Sequence, residues 1–220
     1  MRLETVPLPR AETLPSSLVH HTASADTLHA NSDFRSLASV PGVQVDLRYA
    51  SDNNFMGRNL YSPLDCAFLH REAAQALSRA AAALAQALPG HAFLVLDAVR
   101  PQRVQEVMWA SVSEADRIYL ADPGPGSIHS FGMAVDLTIV DASGRELDMG
   151  TGFDEMDERS HPALESRLLG EGRLSVAHVA NREALRAAMR AGGWQNIPTE
   201  WWHFDCGDRK QVRAQFARVV

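Results

Sequence analysis

Between Asp122 and Val140 the chain changes character within a few residues. Asp122-Pro123-Gly124-Pro125-Gly126 excludes regular structure, and Met133 to Val140 is an apolar run broken by one carboxylate, Asp136. Prolines and glycines in that density force a stiff, turning approach, and the run that follows reads as a strand. Strand side chains alternate, so Ala134, Asp136 and Thr138 share one face while Met133, Val135, Leu137 and Ile139 share the other. One face is expected to be core and the other a site, with small Ala134 leaving room beside the carboxylate. In the turn between, Ser127-Ile128-His129-Ser130-Phe131-Gly132 places a histidine, then a glycine where backbone angles that other residues avoid become available.

The remaining chain supplies elements to surround this strand. Val43, Val45 and Leu47 alternate with polar neighbours, the pattern of a half-buried strand. A polar loop through Ser51 to Asn59 follows, and Asp65 is expected to cap a long helix from about Cys66 to Leu88. Phe93 to Leu96 reads as a buried strand delivering Asp97-Ala98-Val99-Arg100, with Pro101 opening a helix to about Leu120. Arg100 thus falls in a strand-to-helix turn, a common place for functional side chains. The acidic loop around Phe153-Asp154-Glu155 is too long for a simple hairpin. Val179 to Ala191 has helical spacing and stops at Gly192-Gly193; Trp201 to Asp205 reads as a strand, and the charged tail as surface. Residues 1–42, rich in Pro, Ser, Thr and His, read as an N-terminal arm or irregular cap in which His20, His21 and His29 are solvated. The fold class is α+β: one domain, a central, mainly antiparallel sheet carrying the site, and flanking helices.

Composition narrows the partners. A net charge of −6 without a basic run offers no footprint for nucleic acid or an anionic membrane, and a small molecule is the expected ligand. The alanine-rich segment Ala73 to Leu88 is broken by Gln75, Ser78, Arg79 and Gln86, so it is a packed helix rather than a membrane span. Two cysteines, Cys66 and Cys206, make no disulfide framework; both are expected to be free thiols. No apolar signal segment is legible at the start, and the expected location is cytoplasmic. A homo-oligomer is compatible with the sequence, which carries no mark of one.

A catalytic zinc takes three imidazole or carboxylate ligands and keeps a position for water. His129, Asp136 and His203 supply that set, one zinc per chain, and Glu200 is the nearest carboxylate to act as general base and acid. In an ideal strand Glu200 and His203 would face opposite ways, so a bulge or strand end is expected between them. His161 and His178 are left as ordinary histidines.

These residues fill the pattern SxHxxGxAxD followed by ExxH, through Ser127, His129, Gly132, Ala134, Asp136, Glu200 and His203. The chain therefore resembles the D-alanyl-D-alanine dipeptidases of the VanX type, within the zinc D,D-peptidases. The resemblance extends to Asp46-Leu47-Arg48-Tyr49-Ala50, Asp97-Ala98-Val99-Arg100-Pro101 and Phe153 to His161, and covers about residues 43 to 206. It implies that residues 43–220 form a zinc dipeptidase domain cleaving D-Ala-D-Ala to two D-alanines. His129, Asp136 and His203 would hold the metal, with Glu200 as base and acid. Arg100 would polarise the scissile carbonyl, and Asp154 and Ser127 would bind the substrate ammonium. Tyr49 serves either the pocket or the core. The chain departs from the family at Phe131 and Met133, which make the rim more apolar. Two alternatives are a D,D-carboxypeptidase trimming peptidoglycan stems and a zinc-containing binding module without catalysis.

Overall fold

The computed structural model describes residues 22–220. In chain order the elements are β1 (Thr22–Ala23), β2 (Phe34–Ser36), β3 (Val43–Val45), β4 (Phe68–His70), α1 (Arg71–Ala87), β5 (Ala92–Asp97), α2 (Gln102–Ser111), β6 (Ala134–Val140), α3 (Glu165–Gly170), α4 (Val176–Gly192), β7 (Trp194–Asn196), β8 (His203–Cys206), α5 (Arg209–Gln215) and β9 (Arg218–Val219), joined by turns and single 3-10 turns. A five-stranded sheet runs in the order β3-β5-β6-β8-β7. Only β3 and β5 are parallel; the other three pairings are antiparallel, which gives the α+β class with a mainly antiparallel sheet.

β6 is the central strand, and all seven of its residues are buried. Its faces divide as expected: Asp136 lines a cavity, while Met133, Val135, Leu137 and Ile139 lie in the apolar core. The helical layer is α1 packed against α4, and its closeness explains the alanines. Ala73, Ala76 and Ala80 of α1 are fully buried, and a Cβ on Gly192 of α4 would lie 2.5 Å from the Ala76 carbonyl oxygen. Alanine also has the highest helix propensity, so the same residues favour the helix and its tight contact. Ser175 caps α4 by accepting from the His178 backbone, while the His178 ring reciprocates at the Ser175 amide, so α4 begins three residues earlier than its apolar spacing suggests.

Other boundaries differ from the sequence reading for physical reasons. Asp65 accepts from the Ala67 amide in a local turn, and Phe68 to His70 then pair with β2. α1 therefore starts at Arg71, with the His70 ring as its cap. α2 stops at Ser111, and Ser113 and Asp116 bond each other at the start of a separate 3-10 turn. β3 is an edge strand whose Val45 is exposed, so the alternation at Val43 and Val45 does not mark a buried face.

His20 and His21 lie outside the described residues, and His29 is exposed. β1 pairs in parallel with β9. Ala23, Leu28 and Phe34 share a second apolar cluster with Phe68, Val99 and Val219. The charged tail is accordingly not mere surface. Arg213 donates to the Gly126 carbonyl at 3.0 Å and Arg218 to that of Pro125 at 2.9 Å, so it clamps the proline-glycine approach to the site. Cys66 is buried, and Cys206 half-buried; both are free. Among the described residues no helix is long and apolar enough to cross a membrane.

Candidate active site

Strand register brings the polar groups together. Asp136 of β6 stands directly opposite His203 of β8, and Ala134 opposite Asp205, so His203 and Asp205 share one face of β8 beside the small alanine. On the other side of β6, a bulge between Val95 and Asp97 sets Asp97 opposite Asp136. His129 enters from the 3-10 turn Ile128–Phe131, which ends at Gly132 with φ +65°. A Cβ there would lie 2.8 Å from the His70 amide nitrogen and 2.9 Å from a Phe34 ring carbon, so glycine is needed for both angle and space.

The Ala98 carbonyl fixes the tautomer of His129, whereas His203 has a carboxylate at each ring nitrogen. His129 donates from Nδ1 to the Ala98 carbonyl at 2.8 Å, and His203 donates from Nε2 to Asp205 at 2.9 Å. Their remaining nitrogens, His129 Nε2 and His203 Nδ1, face each other at 3.1 Å. Asp136 Oδ1 lies 3.3 Å from the first and 2.9 Å from the second. Burial disfavours charge on His203, yet Asp205 and Asp136 on either side of the ring push it up to about 10. Burial likewise opposes ionisation of Asp136, but His129 and His203 hold its carboxyl well below the usual range. The space between these atoms therefore favours a positive charge. The three donor atoms lie within 4.8 Å of one another, and two imidazoles with one carboxylate are a ligand set that suits zinc. Each imidazole already has the outer hydrogen bond that orients a metal ligand.

Glu200 precedes β8 in a bend. Asn196 pins that bend, its amide donating to the Glu200 carbonyl at 2.9 Å and the His203 carbonyl at 2.7 Å. The strand runs His203–Cys206, starting two residues later and ending one later than the expected Trp201–Asp205. The Glu200 carboxylate thereby reaches within 3.9 Å of His203 Nδ1. Burial raises Glu200 to about 7; Asp136 adds to the rise, while His203 and Arg100 oppose it. A carboxyl balanced there can accept and return a proton near neutrality.

Arg100 is buried and held on three sides. It donates from Nε to Asp97 at 2.9 Å and from Nη1 to Gln105 at 2.9 Å. Its Nη2 lies 2.7 Å from Asp97 and 3.4 Å from Asp136, and the guanidinium stands over the Tyr49 ring, 5.1 Å from its centre. Tyr49 in turn donates to Asp154 at 2.6 Å. Asp154 has φ 60°, the one non-glycine residue in the left-handed region among those described, and burial of its carboxyl raises its pKa well above the ordinary value. Aspartate is among the residues that tolerate this conformation, and here it stands in a cavity wall. Arg100, Ser127, His129, Asp136, Asp154, Glu200 and His203 all line one cavity of about 220 Å³. His161 bonds Tyr119 and His178 bonds Asp148, both away from the cluster.

The sequence model of the D-ala-D-ala dipeptidases, among the M15 peptidases, matches residues 31–220. The chain belongs to this family. A D-alanyl-D-alanine dipeptidase of Escherichia coli (strain K12) is 39% identical over 165 residues, 75% of this chain and 79% of that one. One from Enterococcus faecium is 32% identical over 199 residues, covering 80% and 92%, and one from Synechocystis is 29% identical over 206 residues, covering 80% and 78%.

This M15 chain is a metallopeptidase, and His129, Asp136 and His203 are the one group among its described residues suited to hold a metal ion. Four residues that hold these groups in place escape the sequence reading: Asp97, Gln105, Asn196 and Asp205. Asp97 and Asp205 each follow apolar residues in a strand, a buried-carboxylate signal that could have marked them, since such groups persist only when paired. Gln105 and Asn196 carry no comparable signal.

Proposed function

We propose that this family member hydrolyses D-Ala-D-Ala to two D-alanines. In this reading His129, Asp136 and His203 hold one zinc ion, Glu200 is general base and acid, Arg100 stabilises the carbonyl oxygen, and Asp154 with Ser127 receives the substrate ammonium. The observation that carries it is the convergence of three ligand atoms, a near-neutral carboxyl and a fixed guanidinium on one cavity of about 220 Å³. Zinc, when bound, supplies a Lewis acid and lowers the pKa of water to roughly 7.

The protein groups divide the remaining work. Glu200 takes the proton from the attacking water and delivers it to the amide nitrogen as the C–N bond breaks, a role worth about 10²- to 10⁴-fold in rate. Arg100 keeps its charge because Asp97 and its other anionic neighbours outweigh burial, and its donors are preorganised for negative charge growing on the carbonyl oxygen. Asp154, already held by Tyr49, offers an enclosed acceptor for an ammonium, whose charge would favour its ionised form. Two free thiols accord with a cytoplasmic setting.

Release of free amino acids from a panel of dipeptides, with and without a chelator, tests the proposal. D-Ala-D-Ala should be cleaved and the chelator should abolish turnover. Acetyl-D-Ala-D-Ala should be slower by about 100-fold or more, because Asp154 is left without its charged partner. Equal rates for blocked and free dipeptide would refute the dipeptidase assignment.

A further inference from the structure

A free dipeptide carries a carboxylate as well as an ammonium, and a small enclosed site selects it best by pairing both ends. Two cationic side chains line the cavity besides the histidines, Arg100 and Arg209. Arg100 has each of its nitrogens engaged by Asp97, Gln105 or Asp136. Arg209 differs. It is the first residue of α5, whose cap Asp208 accepts from the amides of Lys210 and Gln211, so its backbone is fixed. Its Nε donates to Asp205 Oδ2 at 2.6 Å, while its two η nitrogens, on a half-exposed side chain, have no hydrogen-bond partner among the described residues. Asp205 is the same carboxylate that accepts from His203 Nε2 through its other oxygen. One carboxylate thus orients both a metal-ligand candidate and a guanidinium at the cavity wall.

A guanidinium held at Nε presents its outer edge, four N–H donors in a plane, and that edge matches a carboxylate in paired, bidentate geometry. The dipeptide is short, at most about 7 Å when extended, so a cavity that binds its ammonium at Asp154 must meet its carboxylate within the same walls. We propose that Arg209 is the specificity residue that receives the C-terminal carboxylate of the substrate. The assignment rests on the dipeptidase reading and adds the carboxylate subsite to it. It makes a free C-terminus a requirement of binding rather than of bond cleavage, since the hydrogen bond of Arg209 is to Asp205, which in turn holds His203.

The test compares D-Ala-D-Ala with its C-terminal amide on the zinc-loaded full chain, as substrates and, where turnover of the amide is slow, as competing ligands. Wild type should bind the amide about 10-fold or more weakly than the free acid, the expected loss for a hydrogen-bonded charge pair. Arg209→Gln should raise KM for the acid by a similar factor while the constant for the amide and kcat move by less than about threefold. Arg209→Lys should recover part of the loss, and metal content should be the same in all three proteins. If Arg209→Gln shifts acid and amide alike, or shifts neither, the carboxylate assignment is overturned and the dipeptidase reading survives. If wild type cleaves no free dipeptide at all, the dipeptidase reading fails and takes this one with it.

Discussion

Replacing Asp97 by asparagine tests whether the buried pair behind Arg100 carries both stability and catalysis. The Asp97 carboxylate is fully buried. Oδ1 accepts from the Tyr61 hydroxyl, and Oδ2 takes both Nε and Nη2 of Arg100, with His129 Nδ1 at 3.6 Å. Asparagine is nearly the same shape but removes the charge and turns one acceptor into a donor, so either Tyr61 or Arg100 faces an N–H group. Breaking a buried pair while leaving one charge in place costs about 3–5 kcal/mol. Arg100 retains Gln105 and a longer contact to Asp136, which places Asp97→Asn at the low end, about 3 kcal/mol. For a chain of this size that is a fall in Tm of roughly 6–12 °C. Tyr61→Phe removes only one hydrogen bond to the same carboxylate and should cost less, about 1–3 kcal/mol. Thermal melts followed by circular dichroism measure the first effect. The second is in kcat/KM, which should drop by about 100-fold or more as Arg100 loses its fixed aim. An Asp97→Asn protein with unchanged Tm and unchanged kcat/KM would show that Arg100 is held by its other partners, and the reasoning would fail.

Two further substitutions probe other parts of the molecule. Gly192→Ala should destabilise the protein by about 2 kcal/mol in urea titrations, although alanine in a helix ordinarily gains about 1 kcal/mol over glycine, because the new Cβ would overlap the Ala76 carbonyl oxygen and Ala80 of α1; a stabilised variant would contradict the close α1–α4 contact. Asp205→Asn should weaken zinc binding by about 10- to 100-fold in chelator competition, since it loosens the outer hydrogen bond that holds the His203 ring; unchanged affinity would show that Asp205 does not orient the ligand.

How much of this was legible in the sequence follows from the range of each signal. His129, Gly132 and Asp136 are readable because a turn, a pivot and a strand follow one another within eight residues. The bend before His203 is likewise readable, from the conflict between a spacing of three and a strand period of two. Boundaries set by distant pairing were not. Nothing near Asp65 announces that Phe68 to His70 will pair with Phe34 to Ser36, so its local turn signal looks the same as a helix cap. The tail looked solvated by composition, yet Arg213 and Arg218 spend their charge on carbonyl oxygens of the Pro125-Gly126 approach. A carboxylate after apolar strand residues marks Asp97 and Asp205 as buried and paired, but the partner of each is set by a β-bulge and by cross-strand register, which no local pattern encodes.

A metal held by His129, Asp136 and His203, with Glu200 as a separate proton carrier, is the core of the proposed mechanism. The most direct measurement is metal content and D-Ala-D-Ala turnover in Glu200→Gln. Glu200 donates no atom to the three-ligand cluster, so the variant should keep about one zinc per chain, as a three-ligand catalytic site does, and the wild-type melting profile. Its kcat should fall by about 10²- to 10⁴-fold. Retained zinc with turnover near wild type would contradict the account by removing Glu200 from the chemistry.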